Sequence, residues 1–153
     1  LMQRAIVHGI SSSGFGQRPD KPWEGVDYFS QGGDSHVDLA AILGKYKNTP
    51  SLHEIASISG IPGKLGVSGD SVGEMWLQGK LKEIVDYNEF DAFTTHLVWA
   101  RMARFADLFT AEQYEQEQSL VRELLETEIA GGKAHLNSFL IEWDRLLEIN
   151  QRI

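Results

Sequence analysis

At 153 residues the chain is long enough for one domain with a sizeable core, and 42% hydrophobic residues fit an ordinary globular protein. A formal net charge of −8 argues against a protein that wraps duplex nucleic acid by neutralising many phosphates, but not against an enzyme that grips a strand end and takes its positive charge from metal ions. The absence of cysteine removes disulfides, thiolate metal sites and cysteine nucleophiles together, and without a membrane-length apolar run or a signal-peptide pattern a cytoplasmic, membrane-free setting is expected.

In chain order, a first helix is expected over about 1–8, ended by Gly9, followed by a loop in which Ser11–Ser13, Pro19 and Pro22 stand and in which Trp23 is exposed. Leu39 to Tyr46 reads as a helix, with Asp38 as its cap. Ser51-Leu-His-Glu54, Ser71-Val-Gly-Glu74 and Thr110-Ala-Glu-Gln113 are capping boxes, in which hydroxyl and N3 side chain satisfy each other's backbone amides, and they set three helix starts. The longest helix is expected from Leu81, after Gly79, to Phe109. Thr110 then opens a helix through Ile129, Gly131-Gly132 breaks it, and Ala134 to Asn150 carries Leu136, Phe139, Leu140, Trp143, Leu146 and Leu147 at helical spacing. That last stripe packs on the preceding helix or on some other neighbour; the pattern leaves both open. Residues 110–153 hold nine acidic and four basic residues, a solvated acidic face. No alternating run has the length of a strand. Trp76, Trp99 and Trp143 fall on apolar helix faces, where core packing is expected rather than base stacking.

Within the longest helix lies a polar cluster. Tyr87, Asp91 and Thr95 are spaced four apart, so they stand one above another on a single face, with Asn88 beside them. Ile84, Val85, Ala92, Trp99 and Met102 supply the apolar periodicity next to this face. A carboxylate there needs a partner, and a phenol one turn before it suits a site in which the acid holds a cation and the phenol orients water.

Tyr87-Asn-Glu-Phe-Asp91 with Thr95 and Leu97-Val-Trp-Ala-Arg101 resembles the third motif, Tyr-x-x-x-Asp, of 3'-5' exonucleases related to the proofreading domain of family-B DNA polymerases. His36-Val-Asp-Leu39, the helix Leu52 to Ile58, the loop Gly60-Ile-Pro-Gly-Lys64 with Gly69 and Val72, and Leu1 to Gly9 agree with that family in order, so the resemblance covers about residues 1–101. The family's first motif, Asp-x-Glu on a strand, and its second, an Asp before the helix that here begins at Leu1, have no counterpart. Asn88 replaces a cysteine, and Asp91-Ala92 the usual Asp-Val.

The resemblance implies a mainly helical chain: the C-terminal part of a ribonuclease H-like α/β fold whose central sheet is mostly missing, with a short extended piece before Asp38. It implies an exonuclease-like part over 1–109 and an acidic helical pair over 110–153 packed on it. It also implies a hydrolase of the DEDD type with tyrosine in its third motif, cleaving terminal phosphodiesters of DNA or RNA with two divalent ions, magnesium or manganese, and single-stranded or 3'-terminal nucleic acid as partner. Asp91 is then the metal ligand, Tyr87 positions the attacking water, Asn88 and Thr95 support the carboxylate, and Lys64 is a candidate phosphate contact. Of the four carboxylates only Asp91 is assigned, so an incomplete, inactive fragment is expected. A non-catalytic helical interaction module is the alternative from another class. A histidine-aspartate phosphohydrolase is a third, against which the spacing of His36 and Asp38 and the lack of a histidine set both speak.

Overall fold

A computed structural model describes residues 7, 9–11, 38–44 and 49–150, with residue 150 in its backbone only. The chain forms two compact units, Leu1–Leu39 and Ala40–Ile153. In the first, Val7 is helical and Gly9 turns with φ of 62°. The expected first helix apart from Val7, the loop with Trp23, the extended piece before Asp38, His36 and residues 45–48 lie outside the described residues.

The second unit is helical, and among the described residues no strand is present. Its helices are α1 (Leu39–Leu43), α2 (Leu52–Ile58), α3 (Val72–Leu77), α4 (Leu81–Phe105), α5 (Ala111–Ala130) and α6 (Asn137–Asn150), with 3-10 turns at Gly69–Ser71 and Ala134–Leu136. Two of the three capping boxes form as written. Ser51 accepts from the Glu54 amide while the Glu54 carboxylate receives the Ser51 amide, and Thr110 and Gln113 do the same. The box at Ser71 does not form. Ser71 ends a 3-10 turn with helical backbone angles, so its hydroxyl donates back to the Ser68 carbonyl at 2.7 Å instead of accepting from Glu74.

The long helix stops at Phe105, four residues short of the expected end. Asp107 takes a left-handed φ of 57°, and the Leu108 amide returns to the Ala103 carbonyl. This is the Schellman closure, normally made with glycine, which is why composition gave no stop signal there. The end of α2 uses the usual residue: Gly60 at φ 72°, with the Ile61 amide on the Ala56 carbonyl.

The core is built where α4 meets α2, α5 and α6. The buried side of α4 is Phe90, Thr94, Leu97, Val98, Ala100 and Ala103. Val85 and Ala92, assigned to the apolar stripe from spacing, are exposed. A polar residue, Thr94, sits at the centre of the true stripe, and its place there depends on a partner that helical periodicity does not show. Leu136, Phe139 and Trp143 are fully or almost fully buried, as are Val121 and Leu125 of α5, so α6 does pack on α5. Phe139 stacks on Phe90 at 6.2 Å between ring centroids and meets Trp143 edge-on at 6.3 Å. Trp76 is the tryptophan that departs from expectation: it is 58% exposed, because α3 has only six residues and buries none of them. Among the described residues no helix is long and apolar enough to cross a membrane.

Candidate functional site

The segment joining α2 to α3 is latched to the middle of α4. Thr94, 1% exposed, donates its hydroxyl to the Pro62 carbonyl at 2.8 Å, and Arg101 donates to the Ser59 carbonyl at 2.9 Å. The same segment is fastened to α2 by His53, whose Nδ1 accepts the Lys64 amide at 2.9 Å. Gly63 makes that fastening possible, since a Cβ there would lie 2.3 Å from His53 Nδ1. The Gly-Ile-Pro-Gly-Lys run is therefore a strap tied at both sides, and its tethers set where the chain goes next.

It goes to Tyr87. The phenol and Asp91 stand one turn apart on α4, both half-buried. The Asp91 carboxylate as acceptor for the phenol proton, with partial burial and the nearby charges of Asp91 and Asp70, pushes the Tyr87 phenol up to about 12. Past the strap, the 3-10 turn brings Gly69 against the phenol, so that a Cβ on Gly69 would lie 3.4 Å from the Tyr87 hydroxyl oxygen. Lys64 Nζ donates to Ser68 Oγ at 2.9 Å, and Ser68 Oγ donates in turn to Asp70 at 3.5 Å. The ring of Tyr87 also lines an open cavity of about 440 Å³ with Val67, Asp86, Phe90, His135 and Ile141.

Of the residues picked from sequence, Tyr87 and Asp91 stand together on α4, and Lys64 reaches through Ser68 to Asp70, whose charge lies near the phenol. Asn88 and Thr95 are exposed. The buried threonine of this helix is the adjacent Thr94, which supports the strap rather than the carboxylate. Sequence reasoning passed over Ser68, Gly69 and Asp70, although Gly69 was noted as part of the loop. It also gave His135 no role. That ring lies between two α4 carboxylates, Nε2 at 2.7 Å from Glu89 and Nδ1 at 3.5 Å from Asp86. Lys133 bridges Glu89 and Glu128, and together with His135 it holds the Glu89 carboxyl below the usual range. These contacts fasten the chain just before α6 to α4 beside the tyrosine.

Asp91 suits one position of a hard-cation site, a half-buried oxygen donor with a hydroxyl beside it and no thiolate nearby. Among the described residues no group of three or more His, Asp or Glu side chains converges as a metal set, so Asp91 could furnish one ligand and the described residues do not make up a whole ligand sphere.

No curated protein and no solved structure matches the chain. A family model does, over residues 1–143, and it describes predicted 3'-5' exonucleases related to the exonuclease domain of PolB. The match takes in the strap, the Ser68–Asp70 turn, Tyr87, Asp91 and the first half of α6, and the chain belongs to this family.

Proposed function

We propose that this chain contributes the tyrosine–aspartate part of a metal-dependent 3'-5' exonuclease, which hydrolyses the terminal phosphodiester of a DNA or RNA strand and releases nucleoside monophosphates. The observation that carries the reading is the placing of the Tyr87 hydroxyl and the Asp91 carboxylate one helical turn apart on α4, both half-buried, in a chain of this family. Magnesium or manganese, when bound, activates water and stabilises the leaving oxygen. Asp91 offers an anionic oxygen to such an ion. Tyr87, with a phenol pushed up to about 12, keeps its proton at neutral pH, so it orients water or phosphate by hydrogen bonding and does not act as a base. Lys64 is exposed and spends one of its three donors on Ser68, which leaves two for a phosphate. The remaining carboxylates come from residues beyond those described or from another polypeptide; without them the chain is expected to be inert.

The test is release of mononucleotides from a 3'-labelled single strand by the intact protein with manganese, wild type beside Asp91→Ala. Loss of activity in the variant alone supports the reading. Equal activity in both removes Asp91 from the metal site, and metal-dependent activity of residues 1–153 by themselves overturns the expectation of inertness. A second reading, a non-catalytic interaction module, is favoured by large apolar side chains left in solvent, Phe105 at 89% and Ile58 at 78%. Calorimetric titration with manganese separates the two, because such a module has no binding that Asp91→Ala abolishes.

A further inference from the structure

We infer that the turn Ser68–Asp70 is the positioning element of the Tyr87 hydroxyl, with Lys64 as the anchor that holds the turn in place. The inference deepens the reading of Tyr87 as a site residue and rests on it. A phenol on a helix surface has two free torsions. The Asp91 carboxylate one turn on, on the same helix, draws the phenol proton without closing the solvent side, and the ring is half-buried only. The second constraint comes from a different element. Gly69 lies beside the phenol oxygen, near enough that a Cβ on it would make van der Waals contact with that oxygen at 3.4 Å. Asp70, the next residue, adds a second negative charge near the hydroxyl, which favours the orientation that donates rather than accepts.

The turn is itself fixed. Ser68 receives the Lys64 ammonium on its hydroxyl, and its carbonyl receives both the amide and the hydroxyl of Ser71 at 2.9 and 2.7 Å. Lys64 is in turn held at its amide by His53, and its strap is held to α4 by Thr94. A connected path of hydrogen bonds thus runs from α2 to the turn beside the tyrosine, and none of Lys64, Ser68, Gly69 and Asp70 belongs to the Tyr-x-x-x-Asp motif. Lys64 acquires a second duty from this path. As a phosphate contact alone it would govern affinity; as the anchor of the turn it also governs how well Tyr87 is aimed, and so turnover.

The experiment has two arms. In the first, the chain is made with 3-fluorotyrosine at its four tyrosines, and the Tyr87 fluorine resonance is assigned by its loss in Tyr87→Phe. Ser68→Ala and Gly69→Val are expected to shift that resonance while leaving that of Tyr114, on α5, in place. An unmoved Tyr87 line in a folded Ser68→Ala protein overturns the inference, and Ser68→Ala, which removes only a hydroxyl, decides the matter if Gly69→Val does not fold. This arm needs neither metal nor activity, so it stands or falls separately from the exonuclease reading. In the second, on the intact enzyme, Ser68→Ala is expected to lower kcat roughly 10-fold, the scale of a catalytic group slightly misplaced, with KM within about 2-fold. The loss should vanish in a Tyr87→Phe background, because the turn acts through the phenol. A loss of the same size in both backgrounds assigns Ser68 some other role and refutes the inference.

Discussion

Replacing Thr94 by valine isolates the hydroxyl that latches the strap to α4. The side chains have nearly the same shape, so packing is kept while one donor disappears. Thr94 is 1% exposed and Pro62 is fully buried, which means that no water replaces the lost 2.8 Å bond and the Pro62 carbonyl is left without a partner. A buried acceptor stranded in this way costs about 1–3 kcal/mol, more than the roughly 0.5–1.5 kcal/mol of an ordinary hydrogen bond lost to solvent. Thr94→Ser is the control. It keeps the hydroxyl and drops one methyl, at about 0.8 kcal/mol. Urea unfolding monitored by circular dichroism gives both values from midpoint shifts at constant slope. Valine is expected to be the more damaging change, and the Lys64 amide, held by His53 further along the strap, should exchange its hydrogen faster in the valine variant. A valine variant within about 0.5 kcal/mol of wild type, or a serine variant less stable than the valine one, would refute the claim that the hydroxyl holds the strap.

Phe139→Ala removes a fully buried ring that touches Phe90, Phe93 and Trp143, and should cost about 3–5 kcal/mol by the same unfolding measurement. Thr110→Ala opens a formed capping box at the start of α5 and should cost about 1 kcal/mol, whereas an unchanged midpoint would show that α5 is held by packing alone. In a spectrophotometric titration of phenolate, Tyr87 should ionise near pH 12, and Asp91→Asn should return it towards its ordinary value of about 10. Because the folded value is raised, the stability contributed by this pair is fully present below about pH 10 and is lost as pH rises through about 12; ionisation of every tyrosine near 10 contradicts the action of Asp91 on the phenol.

The local features of this protein were legible wherever they depend on neighbours in sequence. Tyr87 and Asp91 meet because residues four apart on a helix share a face. The starts of α2 and α5 follow from hydroxyl-x-x-Glu/Gln boxes whose partners lie three residues apart. The leucine and aromatic stripe of the last helix marked a buried face, although whether α5 covers it was left to the fold. What spacing could not supply was the identity of partners far along the chain. Thr94 and Thr95 are equivalent by propensity, and only the Pro62 carbonyl, 32 residues away, makes the first a buried latch and leaves the second in solvent. Ser71 has the residues of a capping box, but the preceding 3-10 turn rotates its hydroxyl towards Ser68. Asp107 ends α4 in a conformation that glycine advertises and aspartate does not. Ser68, Gly69 and Asp70 reach the site for a related reason: the strap is tied to α2 by His53 and to α4 by Thr94, and those two tethers deliver the turn to the phenol. Sequence by itself determined the helices and the tyrosine–aspartate pair, since both rest on contacts within a turn or two. Tertiary structure alone decided what surrounds the pair, because a buried polar group takes whichever partner the packing of distant segments brings within reach.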